Sequence, residues 1–481
     1  VYVAGHAYNL MSDDEVDLIH HSALRILEQV GMEVQSRQLL EALRAAGGQV
    51  DWAAERVRFP PRMVERFVAA ADKHDWDGTA PHVGGSAGVY HGMFHDPYSG
   101  ELVPWSEEAL ARYFALANHL PHISGASMLG CRLPVPGVLE PLYERYYCWK
   151  YGAAEAGTIH LDALCPYLLE LYQALADERG VPLGEVFRGT VYLVPPLKLG
   201  RHEAYQVAYF WERGLRVHVG DMYAMGASAP VTLAGAVALN LAEQLALRML
   251  DGALYGGRRL HLGASISVMD MRTTIYPYGR PEMAIANLMT AQMARHYGAS
   301  FSGHAGLTDA KLPSVEAGAQ KALTALPTLL AGGSLWLDAG LLSIDEVCSP
   351  LQMVLDNEFL GALKHLAGCF PITEEAIGLE TILEAGPGGH YLDKMHTVRY
   401  LRSEHWQPSL WSRKMLRPWM EEGRLLDVDR AREVVREVEA MAGQREQGPG
   451  SGAMSEALER EVLRVIERAR AQVVGGTIAT H

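Results

Sequence analysis

The sequence predicts an α/β protein: a (β/α)8 TIM barrel with an N-terminal helical cap and a C-terminal helical extension. Three observations carry that prediction. From about residue 120, short apolar runs alternate with helix-like segments, as parallel strands joined by crossover helices require. The stretch Ala299–Ser343 contains one such unit in full: an apolar run Ala299–Phe301 stops at Gly303-His304-Ala305-Gly306, a helix-like segment follows from about Ser314 to Leu330, Gly332-Gly333 ends it, and a second apolar run, Ser334–Leu337, arrives at Asp338-Ala339-Gly340. No G-x-G-x-x-G follows a first strand, which disfavours an open doubly wound sheet.

Residues 1–76 read as the cap. Ser12 and Glu15 have capping-box spacing, Ile19, Ala23, Ile26 and Val30 follow at helical intervals, and Gly31 is placed to end the helix. A second helix spans about Ser36–Ala46, a short strand Arg56–Phe59, and Pro60-Pro61 opens a third helix. Residues 77–385 form the barrel, with an inserted hairpin near 87–103 in which Val89–His91 pairs with Glu101–Val103 across Asp96-Pro97-Tyr98-Ser99-Gly100. Strands are expected near Ile123–Met128, Gly157–Leu161, Thr190–Val194, Leu215–Val219, Leu260–Ile266, Ser300–Gly303 and Ser334–Asp338, with a small-residue helix over Leu233–Leu250. That gives seven units, with an eighth sought after Cys369. Residues 386–481 form the extension: a Gly386-Pro387-Gly388-Gly389 turn, a Trp/Arg-rich stretch through Trp406, Trp411 and Trp419, a helix Val428–Met441, a Gly443–Ala453 linker and a final helix Ser455–Val473.

The totals bound the function. The 481 residues are 49% hydrophobic and 21% charged, and a net charge of −15 argues against nucleic acid or an anionic membrane as partner. No transmembrane run and no signal peptide are visible. The five cysteines, Cys131, Cys148, Cys165, Cys348 and Cys369, are odd in number, widely spaced and match no zinc motif. They point to buried free thiols in the cytoplasm. A homo-oligomer is expected.

In a parallel α/β fold, chemistry sits at the C-terminal ends of the strands. There the sequence offers Asp221, Tyr223 and Met225, then Asp270, Arg272, Tyr276 and Tyr278, then His304 and Asp309, then Trp336 and Asp338; the hairpin adds Tyr90, His91, His95 and Asp96. Each alone also fits a solvated or supporting residue. Jointly, aromatics and acids on four successive strand ends favour a cation site. His390 and His396 lack H-E-x-x-H spacing, and Gly386–Gly389 is no phosphate loop because no Lys-Ser/Thr follows.

The opening SDDEVDLIHHSALRILEQVGMEV with LRAAGGQVD and RVRFPPRMVERFV, the middle APVTLAGAVALNLAEQLA, MDMRTTIYPYGRPE and LTDAKLPSVEAGAQKAL, and the later SPLQMVLDNEF, GPGGHYLDKMHT and PSLWSRKMLRPW together resemble the trimethylamine methyltransferase (MttB) superfamily along nearly the whole chain. The resemblance implies a (β/α)8 barrel and a methyltransferase that moves a methyl group from an amine to the Co(I) of a cobalamin, a corrinoid cofactor carried by a separate corrinoid protein or bound transiently. Archaeal members acting on trimethylamine carry pyrrolysine at the barrel mouth, a position expected between Ser334 and Ile344. This chain has only the twenty standard residues, which turns the expectation toward a quaternary amine such as glycine betaine. A quaternary ammonium leaves as a neutral amine, so the protein needs to hold a cation, exclude water and align the N–CH3 bond. On that basis Asp221, His304 and Asp338 are assigned to catalysis, and Tyr90, His91, His95, Asp96, Tyr223, Arg272, Tyr276 and Trp336 to substrate binding. No metal is expected, and Arg272, His304 or His91 would meet a substrate carboxylate. Two other readings stay open: a metal-dependent barrel hydrolase using His91, His95, His304 and Asp338, and a non-catalytic barrel that binds a small cation.

Overall fold

The structure, a computed structural model, describes residues 8–130, 133–193, 196–368, 370, 372–444 and 454–475. It opens with helices α1 (Asp13–Gln29), α2 (Arg37–Ala45) and α3 (Pro61–Ala70). The Ser12–Glu15 capping box is formed in both directions, and Ser36 caps α2. Gly31 ends the first helix at φ +71°, and a Cβ there would lie 2.1 Å from the Val57 carbonyl oxygen. Three short strands, Met32–Val34, Gln49–Asp51 and Arg56–Arg58, make an antiparallel sheet that also pairs with Lys198–Leu199.

Strands and helices then alternate: β1 (Val83–Val89), α4 (Glu107–His119), β2 (Ala126–Met128), α5 (Glu140–Tyr151), β3 (Ala154–Glu155), α6 (Cys165–Arg179), β4 (Gly189–Tyr192), α7 (Arg201–Trp211), β5 (Val217–Gly220), β6 (Tyr223–Met225), α8 (Leu233–Tyr255), β7 (His261–Ala264), β8 (Ile266–Val268), α9 (Pro281–Tyr297), β9 (Ser300–His304), α10 (Val315–Leu330), β10 (Ser334–Ala339) and α11 (Pro350–Ala367). Six of the strands form one curled, wholly parallel sheet in the order β7-β9-β10-β1-β2-β3. β4 pairs in parallel with β5, β6 pairs in parallel with β8, and a single parallel bridge joins Thr158 to Thr190.

Helix α8 explains how the layers hold together. It is long and apolar enough to cross a membrane by length and composition, yet 78% of that stretch is buried inside the fold. It is a core helix, packed between α1 and the sheet.

The strands divide their side chains cleanly. Along β10, Leu335, Leu337 and Ala339 are fully buried, whereas Ser334, Trp336 and Asp338 are not; β9 repeats this with buried Phe301 and Gly303 between Ser300, Ser302 and His304. The buried set faces the helices. The other set faces a hollow space inside the curl of the sheet, since Trp336 is 43% exposed on a strand paired on both sides.

Four expectations need correction. The strand Val83–Val89 was not anticipated: VGGSAGV has three glycines and reads as loop. The glycines are there for space. A Cβ on Gly84 would meet the Trp336 ring at 3.1 Å, and one on Gly85 would lie 2.6 Å from the Leu337 carbonyl oxygen. The unanticipated strand precedes the expected ones, and after Cys369 the described residues form only helices and turns. The hairpin is real but displaced, with Met93–His95 paired to Leu102–Val103 because Val89 is already committed to β1. Gly157–Leu161 is not a strand: Gly157 turns at φ +81° after the two-residue β3.

Cys148, Cys165 and Cys348 are free and buried, while Cys131 and Cys369 lie outside the described residues. So do residues 445–453 of the expected linker; Gly443 and Gln444 belong instead to a helix α12 (Asp427–Gln444). The chain ends in α13 (Glu456–Ala469), which docks on α6 through Leu458, Val462, Val465 and Ile466.

Candidate functional site

The C-terminal ends of the strands gather one aromatic and acidic cluster. Register places His304 of β9 opposite Trp336 of β10, Trp336 opposite Gly84 of β1, and Asp338 opposite Ser86. The Trp336 indole donates to Ser86 Oγ at 3.2 Å and stacks on His82, its ring fixed over the small residues of β1. His304 Nε2 faces Asp338 Oδ2 at 3.9 Å, while its Nδ1 lies 3.2 Å from Ser265 Oγ. Tyr278 crosses His304 edge-on, centroids 5.3 Å apart, and meets Tyr276 at 5.8 Å. The Tyr276 hydroxyl donates to the Ser265 carbonyl, which holds the loop after β8 against β7.

A second carboxylate enters from the turn after β10. Ser343, Ile344 and Asp345 are three successive non-glycine residues with positive φ, at 54°, 54° and 70°, a conformation costing about 1–2 kcal/mol per residue. The turn aims Asp345 at Tyr278, whose hydroxyl donates to it at 2.8 Å. Burial, reinforced by the negative charge of Asp338, pushes the Asp345 carboxyl up to about 6. The same two carboxylates, after burial, hold the Tyr90 hydroxyl well above its ordinary range; Tyr192 rises through burial and Asp338. Trp336, His304, Asp338, Tyr278 and Asp345 are thus joined by direct contacts and strand register, and Tyr90 and Tyr192 lie within reach of the Asp338 charge.

Asp221 follows the last residue of β5. Gln244 of α8 donates to both of its oxygens, at 2.7 and 2.6 Å, and the Tyr223 hydroxyl lies 3.2 Å from Asp221 and 2.6 Å from Glu243. The single hydroxyl proton cannot serve both carboxyls at once, and Glu243 also accepts from Leu197 N–H at 3.0 Å. Burial accordingly pushes Asp221 up to about 6 and Glu243 to about 7. Because the folded values exceed the unfolded ones, the native state holds protons that the unfolded chain releases, and the contribution to stability falls as pH rises from about 4 through 7. Melting temperature is expected to drop between pH 5.5 and 8, and to drop less in Glu243→Gln; parallel slopes for the two proteins would contradict this.

Some expected site residues lie elsewhere. His95 is buried with Nδ1 2.8 Å from Ser349 Oγ, beneath the start of α11. Asp96 caps its own turn through Tyr98 N, Ser99 N and the Ser99 hydroxyl. Arg272 has a side chain 92% exposed and approaches only Asp270, at 4.0 Å. His91 pairs with Glu140 at the rim. Tyr223 is fully buried, with its hydroxyl on Asp221 and Glu243. The four residues of the metal-hydrolase reading therefore do not converge, and among the described residues no group of three or more His, Cys, Asp or Glu is placed to hold a metal ion.

A basic group deeper in the fold was also missed. Arg248 of α8 is close enough to His218 and His261 to add to the burial that pushes both down to about 4. Its Nε has no partner, and with His218 and Thr190 it lines a cavity of about 290 Å³.

Comparison with known proteins agrees with this geometry. A family model described as trimethylamine methyltransferase (MTTB) matches residues 3–81 and 169–471. The chain belongs to the trimethylamine methyltransferase (MttB) family. Among MttB relatives it is 26% identical over 434 residues to the glycine betaine methyltransferase of Desulfitobacterium hafniense strain Y51, covering 86% of this chain and 89% of that one. It is 24% identical over 429 residues to trimethylamine methyltransferase MttB of D. hafniense DCB-2, covering 86% and 85%. It is 24% identical over 437 residues to MttB of Methanosarcina thermophila, covering 86% and 89%. It is a family member without pyrrolysine: Ser334–Ile344 reads SLWLDAGLLSI.

Tyr192 and Asp345 near the cluster, and Arg248 in its separate cavity, escaped the sequence reading. Tyr192 falls in the middle of the expected strand Thr190–Val194, although it ends the observed one, and signals nothing by itself. Asp345 depends on a left-handed turn that its flanking residues do not announce, and Arg248 is one of three charged residues, with Glu243 and Asp251, in a largely apolar helix.

Proposed function

We propose that the chain is a corrinoid-dependent methyltransferase that takes a methyl group from a quaternary amine of the glycine betaine kind. One observation carries this reading: at the strand ends Trp336 and Tyr278 stand beside two carboxylates, Asp338 facing His304 at 3.9 Å and Asp345 accepting from the Tyr278 hydroxyl at 2.8 Å. Aromatic faces and carboxylates attract a trimethylammonium group, at roughly 0.5–2 kcal/mol per cation–π contact. The leaving amine is neutral, so no group here has to protonate it. Asp338 and Asp345 hold the cation, His304 orients Asp338, and the Tyr278 hydroxyl fixes Asp345. Asp221 supports the wall from the β5 end through Tyr223 and Gln244.

The division into cap 1–76, barrel 77–385 and extension 386–481 belongs to the same reading, as does closure of the strands into a (β/α)8 barrel. Closure is supported by the Thr158–Thr190 bridge from the β3 side to β4, by the β4–β5 pairing, and by β6 and β8, which continue β5 and β7 side by side. The loops at the strand ends expose Met222, Val231, Met271 and Ile275, an apolar rim that fits the face of a corrin ring. The corrinoid, brought by a partner protein in the cytoplasm, supplies a nucleophilic cobalt that accepts the methyl group.

The test is a screen of methylated amines with the purified chain and Co(I) cobalamin or its carrier, read as methylcobalamin by absorbance. Glycine betaine is expected to turn over. Trp336→Ala should weaken its binding about 5- to 30-fold with little change in melting temperature. Binding of quaternary amines without cobalamin methylation would leave a cation-binding barrel and overturn the proposal.

A further inference from the structure

Arg248 lies where α8 passes the seam between β5 and β7. Among the described strands β5 pairs only with β4, and β7 only with β9. No ladder joins β5 to β7, and the guanidinium is near His218 of the first and His261 of the second. Among the described residues it makes no hydrogen bond and no ion pair, and its Nε is buried. The acids around it are already engaged. Asp251 takes Arg216 on both oxygens, Asp221 takes Gln244 and Tyr223, and Glu155 takes Trp149 and Tyr172. A guanidinium keeps its charge at any ordinary pH, and a buried charge without a counter-ion is costly. Burial, and then Arg248 itself, push His218 down to about 4, so that imidazole is neutral and leaves Arg248 to supply the charge.

We propose that the cavity beside Arg248 is a binding site for a small anion, a carboxylate or a tetrahedral oxyanion such as phosphate or sulfate, held by the guanidinium. Its volume is about 290 Å³. Against roughly 30 Å³ for one water, that admits such an anion with water around it. Arg248, Arg216, His218 and Thr190 line it together, and the planar fork of Arg248 matches two oxygens of either kind of anion. The Arg216 side chain is 59% exposed, so the mouth opens to solvent near the N-terminal ends of β4 and β5. The site is separate from the proposed amine pocket. His261, which neighbours His218, pairs with Ser300, four residues before His304 on β9. At ~3.3 Å per residue that is about 13 Å, longer than a glycine betaine molecule, so one such molecule cannot occupy both places. An anion here would tie α8 to the facing edges of β5 and β7 and close the seam.

Isothermal titration calorimetry of the full chain at constant ionic strength, with sodium acetate and sodium sulfate as separate titrants, tests this. One anion per chain is expected to bind, and its binding to raise the melting temperature. Arg248→Met should weaken the binding at least about 10-fold. Arg248→Lys keeps the charge and loses the fork, so its affinity should fall between those two. Trp336→Ala, altered in the layer of His304, should bind the anion as the parent does. Acetate bound alone would assign the site to carboxylates, and sulfate bound alone to tetrahedral oxyanions. A parent that binds neither overturns the proposal. So does parental affinity in Arg248→Met or, should that variant not fold, in Arg248→Lys, and so does loss of the anion in Trp336→Ala.

Discussion

Asp338→Asn is expected to raise the dissociation constant for a quaternary ammonium ligand about 30- to 100-fold above pH 6. The residue points into the hollow of the sheet from β10, faces His304 at 3.9 Å and shares its pocket with Asp345. A unit charge about 5 Å from a bound cation in such a setting is worth about 2–3 kcal/mol, and the amide removes it while keeping the shape. Because the side chain packs against no helix, the melting temperature should move by no more than a few degrees. Isothermal titration calorimetry with glycine betaine reads the first quantity and thermal unfolding the second. Unchanged affinity would mean that the cation sits elsewhere; a large loss of stability would mean that Asp338 is structural.

Lys321→Met is expected to cost about 3–5 kcal/mol of folding stability, the penalty of stranding a buried charge. Lys321 of α10 and Asp356 of α11 pair at 2.8 Å with each side chain only 2% exposed. The Asp356 carboxylate also accepts from Gly340 N and Gln352 Nε2, while Lys321 reaches toward the Asp338 carbonyl at 3.5 Å. The pair thus fixes the end of β10, where Gly340 turns at φ +82° with no room for a Cβ beside the Tyr113 hydroxyl. Chemical denaturation should recover most of the loss in Lys321→Met/Asp356→Leu, since removing both charges leaves neither unpaired. A double variant as unstable as the single one would show that packing rather than charge is at stake.

Much of this architecture is written locally. Ser12 with Glu15, Ser36 before α2 and Pro61 at the start of α3 mark helix starts by chemistry that acts over three residues, and the cap was legible for that reason. The units β9-α10-β10 were legible because their strands are apolar on one side and end in glycine. β1 was not, because its glycines answer to the Trp336 ring, 252 residues away in the chain, and not to any local preference. The site divides the same way. His304, Trp336 and Asp338 could be placed from strand ends alone. His95 and Arg272 looked equally suitable by type, but one is turned under α11 and the other out to solvent, and only the path of the backbone decides that. Asp345 was hidden by three left-handed residues that no composition announces.

The alternation along β9 and β10 gives two adjacent positions different evolutionary freedom. An outward residue such as Leu337 is locked by the helices it touches, and changing it endangers the fold. An inward residue such as Ser302, Ser334 or Trp336 borders open space, so it can be exchanged with little penalty to folding while altering what the cavity accepts. A chain built this way can drift to a new ligand through a few odd-or-even steps along its strands, leaving its scaffold untouched.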